Sequence, residues 1–132
     1  MAGELILIVD DEPSIRRLLS GHLLRRGYRV VVARDGTEAL RFFKEETPNL
    51  LITDLNMPGL GGLDLLRHLK AVDGLGPVTA TMIISGTKNF APTHGDPVAV
   101  DDSLSKPIDM AEFSLRVKRV LRLAAERAAS AE

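Results

Sequence analysis

The sequence predicts a single α/β domain: a doubly wound, five-stranded parallel sheet with helices on both faces. Three observations lead there. Short, apolar, largely β-branched runs recur along the 132 residues, helical patterns with one apolar stripe fill the intervals, and the chain shows neither internal repeat nor low-complexity stretch. Alternation of strand and helix, about five times over, implies parallel strands joined by right-handed crossovers. Five strands fit the smaller doubly wound order 2-1-3-4-5, flavodoxin-like. The pattern alone leaves the order open, and it is borrowed from folds of that class.

The elements follow in order. Leu5-Ile6-Leu7-Ile8-Val9 is apolar at every position, as a strand covered on both faces should be. Ile15, Leu18, Leu19, His22 and Leu23 share one helical face opposite Arg16, Arg17 and Arg25, and Gly27 ends that helix. Tyr28-Arg29 lead into a second strand, Val30 to Ala33. Ala39, Leu40 and Phe43 form the next stripe, with Asp35 or Thr37 as N-cap and Pro48 beyond its end. Leu50-Leu51-Ile52 and Thr79 to Ile84 are the third and fourth strands, separated by a helix with Leu63, Leu66 and Leu69 on its apolar face. Asp102 to Ser105 is the last strand, and Phe113, Val117, Val120, Leu121 and Ala124 mark a long final helix. The domain is expected over residues 1–124, with 125–132 ending the last helix or starting a linker.

One interval breaks the rhythm. The helix expected between the fourth and fifth strands would occupy Thr87 to Val100, where Pro92 and Pro97 each cost about 3 kcal/mol inside a helix and Gly95 roughly 1. This fourth helix is predicted to be short, irregular or missing, and residues 87–100 to be mobile, ordering around Phe90 when the site is filled.

Composition excludes several functions. The absence of cysteine removes disulfides, thiolate metal sites and cysteine nucleophiles. A net charge of −1 gives no overall field to draw nucleic acid or anionic lipid to this domain. Leu5 to Val9 is too short for a signal-peptide core or a membrane span, so a cytoplasmic protein is expected.

In a doubly wound sheet, ligands bind beyond the carboxyl ends of the strands. Those ends read Asp10-Asp11-Glu12-Pro13, Asp54-Leu55-Asn56-Met57-Pro58-Gly59, Ser85-Gly86-Thr87 and Lys106-Pro107. Parallel strands therefore bring Asp10, Asp11 and Asp54 to one edge with a hydroxyl and one ammonium. Two carboxylates about 4 Å apart repel by roughly 4 kcal/mol at an effective dielectric near 20, so the group calls for a cation beyond Lys106. All-oxygen ligands suit a hard divalent ion, Mg2+ or Mn2+. With such an ion and Lys106 neutralising an incoming anion, one carboxylate becomes a nucleophile toward phosphorus. Taken singly, each piece has a plainer reading: a solvated turn, an Asx-turn, a helix cap, a surface lysine. Their occurrence together at successive strand ends favours the site. Asp101-Asp102 is expected to be solvated loop. Gly62, in the turn Gly59-Leu60-Gly61-Gly62, is expected to need positive φ or close backbone approach.

Over nearly its whole length the sequence resembles the response-regulator receiver family of two-component signalling. The resemblance is carried by Ile6 to Pro13, Asp54 to Gly59, Gly62, Ser85-Gly86 and Ser105-Lys106-Pro107. It implies that Asp54 is the phosphoacceptor, receiving its group from a sensor histidine kinase or a histidine phosphotransfer protein. It implies Mg2+ held by Asp11 and Asp54 directly, by Asp10 through water and by the Asn56 backbone carbonyl. Ser85 would donate to a phosphoryl oxygen, with Gly86 and Thr87 beside it; Lys106 would pair with the acceptor and then with the phosphoryl group. A cis Lys106-Pro107 bond is also implied. Such a domain is a signalling module switching an output partner, binding neither nucleic acid nor membrane itself.

The sequence departs from the family at Ser103, where an aromatic switch residue usually stands, and in the broken fourth helix. These departures keep a second reading open, a degenerate receiver serving as a phosphorylation-independent binding platform. A third reading, a phosphohydrolase with a strand-end aspartate, needs a carboxylate two residues after the nucleophile. Asn56 stands there instead.

Overall fold

The computed structural model describes residues 3–72, 79–86 and 100–130. Five parallel strands, β1 (Leu5–Val9), β2 (Arg29–Ala33), β3 (Leu50–Asp54), β4 (Ala80–Ser85) and β5 (Asp102–Ser105), form one sheet in the order β2-β1-β3-β4-β5. This is the expected doubly wound, flavodoxin-like order. Helices α1 (Pro13–Arg25), α2 (Gly36–Phe43), α3 (Gly62–Val72) and α4 (Met110–Ser130) complete the described elements. The helix-breaking interval, residues 87–100, lies outside the described residues except for Val100.

Strand periodicity sorts the core into two layers. Ile6, Ile8, Leu50, Ile52, Met82, Ile84 and Leu104 point to one face, where Leu19 and Leu23 of α1 and Phe113, Val117 and Val120 of α4 cover them. Leu7, Val9, Leu51 and Ile83 point to the other, under Ala39 of α2 and Leu65, Leu66 and Leu69 of α3. Burial on both faces explains why β1, β3 and β4 are buried at every position. The edge strand β2 keeps Arg29 and Val32 exposed.

Two stripes differ from the sequence pattern. Leu18 is 46% exposed, because it stands at the margin of the arc centred on Leu19 and Leu23. On α3 the fully buried set is Leu65, Leu66 and Leu69, with Leu63 only half-buried. Local signals are otherwise decisive: Asp35 caps α2 by accepting from the Glu38 N–H at 2.9 Å, and Gly27 leaves α1 at φ 90°. Asp109 caps α4 by accepting from the Ala111 and Glu112 N–H groups at 2.9 and 3.1 Å. Among the described residues, no helix is long and apolar enough to cross a membrane.

His22 is buried between α1 and α4, hydrogen-bonded to Ser114 Oγ and tilted against the Phe113 ring with centroids 5.9 Å apart. Burial, then the charges of Arg26 and Arg25, hold its pKa below the ordinary 6.5. The unfolded chain therefore takes up this proton first as pH falls, and stability is lost below the unfolded value. Urea midpoints measured at about pH 7.5 and about pH 5 should fall further for the native chain than for His22→Gln; equal falls would show that His22 does not carry the pH dependence.

Candidate functional site

Parallel register places the ends of four strands on one line. Val9 pairs with Thr53, Asp54 with Ile84, and Ser85 with Ser105, so the residues that follow emerge at the same edge. Backbone bonds extend the ladder past the strands: the Asp10 N–H donates to Ala33 O at 3.2 Å, the Leu55 N–H to Ile84 O at 2.8 Å, and the Lys106 N–H to Ser85 O at 2.7 Å. Asp10, Asp54, Ser85 and Lys106 are thus fixed by the sheet itself. The Lys106-Pro107 bond is cis, as the resemblance implies.

The side chains converge on one ammonium. Lys106 Nζ lies 3.5 Å from Asp10 Oδ2, 3.6 Å from Asp54 Oδ1 and 3.0 Å from Glu12 Oε1. Asp10 and Asp54 are 2% and 6% exposed. Burial raises the pKa of both. Beside Asp54 the Asp10 charge raises it further, against the pull of Lys106 and the hydrogen bond from the Asn56 N–H. Burial acts to lower the Lys106 pKa, yet the Glu12 hydrogen bond and the charges of Asp10 and Asp54 together outweigh it and raise the net value. One cation is thus shared among three carboxylates, and the two buried ones remain short of positive charge.

That shortage is the fit test for a metal. Ligand oxygens of Asp10, Asp11 and Glu12 can all lie within 4.8 Å of one another, and the donor set contains oxygen alone. This chemistry fits Mg2+ or Mn2+ and does not suit a softer ion. Asp11 is exposed at the rim, and Asn56 stands two residues past Asp54 with its side chain in solvent. Ser85 is buried at the end of β4. Gly86 is exposed, and a Cβ there would meet no described atom within 4 Å. Thr87 lies outside the described residues.

Gly62 acts from behind. A side chain there would collide with the Asp54 carbonyl oxygen and approach the Asp54 carbonyl carbon and Leu55 Cα to 3.2 Å. Its N–H donates to Leu55 O at 3.0 Å. Of the two expected causes, close backbone approach is therefore the one that applies.

Three groups are not evident from sequence pattern, two of them at the site and one at the other end of β5. Glu12 holds Lys106; its signal is a third acid at the first strand end, immediately before Pro13. Arg16 Nη1 donates to Asp10 O at 2.7 Å, although periodicity assigns it only to the solvated face of α1. Asp101 and Asp102 are a correction: they are not solvated loop. Asp101 binds Arg127 through both oxygens at 2.7 and 3.1 Å and accepts from the Thr81 N–H at 2.9 Å, while Asp102 meets Arg116 at 2.6 Å. Their partners lie 26 and 14 residues along the chain, on α4, beyond the reach of local pattern.

Comparison with known proteins agrees with this geometry. The family described as the response regulator receiver domain matches residues 6–118. A probable transcriptional regulator, ycf27, of Porphyridium aerugineum is 38% identical over 92% of this chain and 50% of its own length. The alkaline phosphatase synthesis transcriptional regulatory protein PhoP of Bacillus subtilis is 36% identical over 96% of this chain and 52% of its own. The chain thus spans about half the length of these relatives. Among solved structures, the response regulator TrrA of Thermotoga maritima, in complex with Mg2+ and BeF, superposes with a TM-score of 0.77 at 29% identity, covering 89% of this chain and 98% of that one.

Gly62→Ala should destabilise the fold by about 1–3 kcal/mol, because the Asp54 backbone cannot yield without disturbing β3. The urea midpoint and the amide resonances of residues 54 and 55 measure it; an unchanged midpoint with unmoved resonances would show that the turn has slack.

Proposed function

The chain belongs to the response-regulator receiver family, and on that footing we propose that Asp54 accepts a phosphoryl group from a phosphohistidine donor and that the modified domain switches an output partner. The observation that carries the proposal is the placement of Asp54. Its carboxylate is buried at the last position of β3, 3.6 Å from the Lys106 ammonium.

The transfer needs little from the protein beyond positioning and charge. An Asp54 carboxylate oxygen attacks phosphorus, the phosphorus–nitrogen bond breaks, and the imidazole nitrogen leaves with the electron pair. The chemistry that magnesium would supply when bound is neutralisation of charge on the phosphoryl oxygens. Asp10, Asp11, Asp54 and the Asn56 carbonyl would hold it, and the complex of TrrA with Mg2+ and BeF is in keeping with a magnesium site in a domain of this fold. Lys106 would favour the ionised form of Asp54, against the burial that raises its pKa, and would pair with the phosphoryl group afterwards. Ser85 would donate its hydroxyl to a phosphoryl oxygen, and Gly86, where a Cβ would meet no described atom within 4 Å, would leave room for the group. Thr87 follows them in sequence. The partners inferred are a sensor histidine kinase or histidine phosphotransfer protein upstream and a regulatory output downstream, consistent with relatives named as transcriptional regulators. In this reading the domain is a signalling module and not a turnover enzyme.

Intact mass after incubation with magnesium and acetyl phosphate tests the proposal. The native chain should gain one phosphoryl group, and Asp54→Asn should gain none; modification persisting in Asp54→Asn would move the acceptor elsewhere. Magnesium titration followed by amide NMR should perturb residues 10, 11 and 54, with binding abolished in Asp11→Ala; a titration that leaves those resonances still would remove the metal from the scheme. Lys106→Ala should fold normally yet lose either phosphorylation or the spectral change that accompanies it, and a variant indistinguishable from the native chain in both would make Lys106 a bystander.

A further inference from the structure

We propose that Glu12 is a positioning residue for Lys106: in the resting chain its carboxylate holds the ammonium on the solvent side of the site, and a phosphoryl group on Asp54 must draw Lys106 out of that contact. The inference rests on the phosphoacceptor reading of Asp54. Of the three carboxylates around Nζ, Glu12 comes nearest, at 3.0 Å; Asp10 and Asp54 stand at 3.5 and 3.6 Å. The order is unexpected from charge alone, since attraction is stronger between buried groups and Glu12 is the exposed member of the three. Something other than Coulomb attraction sets which carboxylate comes nearest.

The backbone supplies it. Glu12 occupies the N-cap position of α1, yet its side chain accepts no hydrogen bond from the helix. Pro13 follows, removing one N–H and keeping Glu12 extended at φ −91° and ψ 116°. The Glu12 N–H donates to Asp10 Oδ1 at 2.9 Å, its carbonyl accepts from the Arg16 N–H at 3.2 Å, and Arg16 Nη1 anchors the Asp10 carbonyl at 2.7 Å. With the main chain fixed on both sides, the carboxylate turns away from its own helix to a lysine 94 residues later in the chain.

A contact present only at rest stabilises the resting state and lowers affinity for any group that needs Lys106 at Asp54. For a partly exposed ion pair the effect corresponds to a factor of about two to five. Beryllofluoride, standing in for the phosphoryl group, can be titrated by fluorine NMR against the native chain, Glu12→Gln and Glu12→Asp, each saturated with magnesium. Glu12→Asp keeps the negative charge but falls one methylene short of Lys106. Both variants should bind beryllofluoride about two- to five-fold more tightly than the native chain. A gain confined to Glu12→Gln would overturn the proposal, since charge acting directly on the incoming anion would then be the whole effect. Equal affinity in all three would overturn it too. A native chain that binds no beryllofluoride at saturating magnesium removes the phosphoacceptor reading itself, whatever the variants do.

Discussion

Everything at the carboxyl edge depends on burying two aspartates beside one lysine. Asp10 and Asp54 cannot leave, because each is fixed to the sheet at the end of a fully buried strand, and an unpaired carboxylate so placed would be strongly unfavourable. Lys106 relieves this only in part, as the raised pKa of both acids indicates. The sheet thus holds the site short of positive charge. A divalent cation is complementary to that state, and in the reading proposed above it would also offset the charge of a phosphoryl group on Asp54.

How much of this was legible in the sequence follows from how local each cause is. The two-layer core was legible because uninterrupted apolar strands such as Leu5 to Val9 and Leu50 to Ile52 have few alternatives to burial on both faces, whereas the strand order came from the fold class and not from the pattern. Asp10 and Asp54 were legible because each adjoins such a run, and Lys106 because it ends the last, mostly polar segment in the succession, since parallel register carries strand ends to a common edge whatever the details of the loops. The cap of α2 and the constraint at Gly62 were legible as alternatives, Asp35 or Thr37 and positive φ or close approach, because the determining atoms lie within a few residues or in the adjoining turn, and the structure chooses Asp35 and close approach.

The network around β5 was not legible. Asp101 and Asp102 resemble any polar turn until α4 lies across the sheet and brings Arg127 and Arg116 to them. The choice between solvated pair and ion-pair anchor is tertiary. Leu18 and Leu65 fail in the same way, since the width and centre of a buried arc depend on which neighbouring helix covers it. Glu12 is intermediate. Its neighbours in sequence explain why its backbone is rigid, but its partner arrives only when β5 joins the far side of β4.

The weak strand is for this reason an informative one. β5 has four residues, of which only Leu104 is buried, so apolar packing does little to hold it. Polar bonds at both ends hold it instead. At the site end the Lys106 N–H donates to Ser85 O; at the other, the Asp101 N–H donates to Thr81 O at 3.0 Å while Arg127 grips its carboxylate. Between them Ser103 stands beside Ile83 in the ladder, with no ring to move into the core. Any pull on Lys106 acts through the same backbone bond that fixes Ser85, so these two groups respond together. The opposite end of the strand is tied by Asp101 to the last turns of α4, which places Arg127 rather than Ser103 at the far terminus of the connected polar groups.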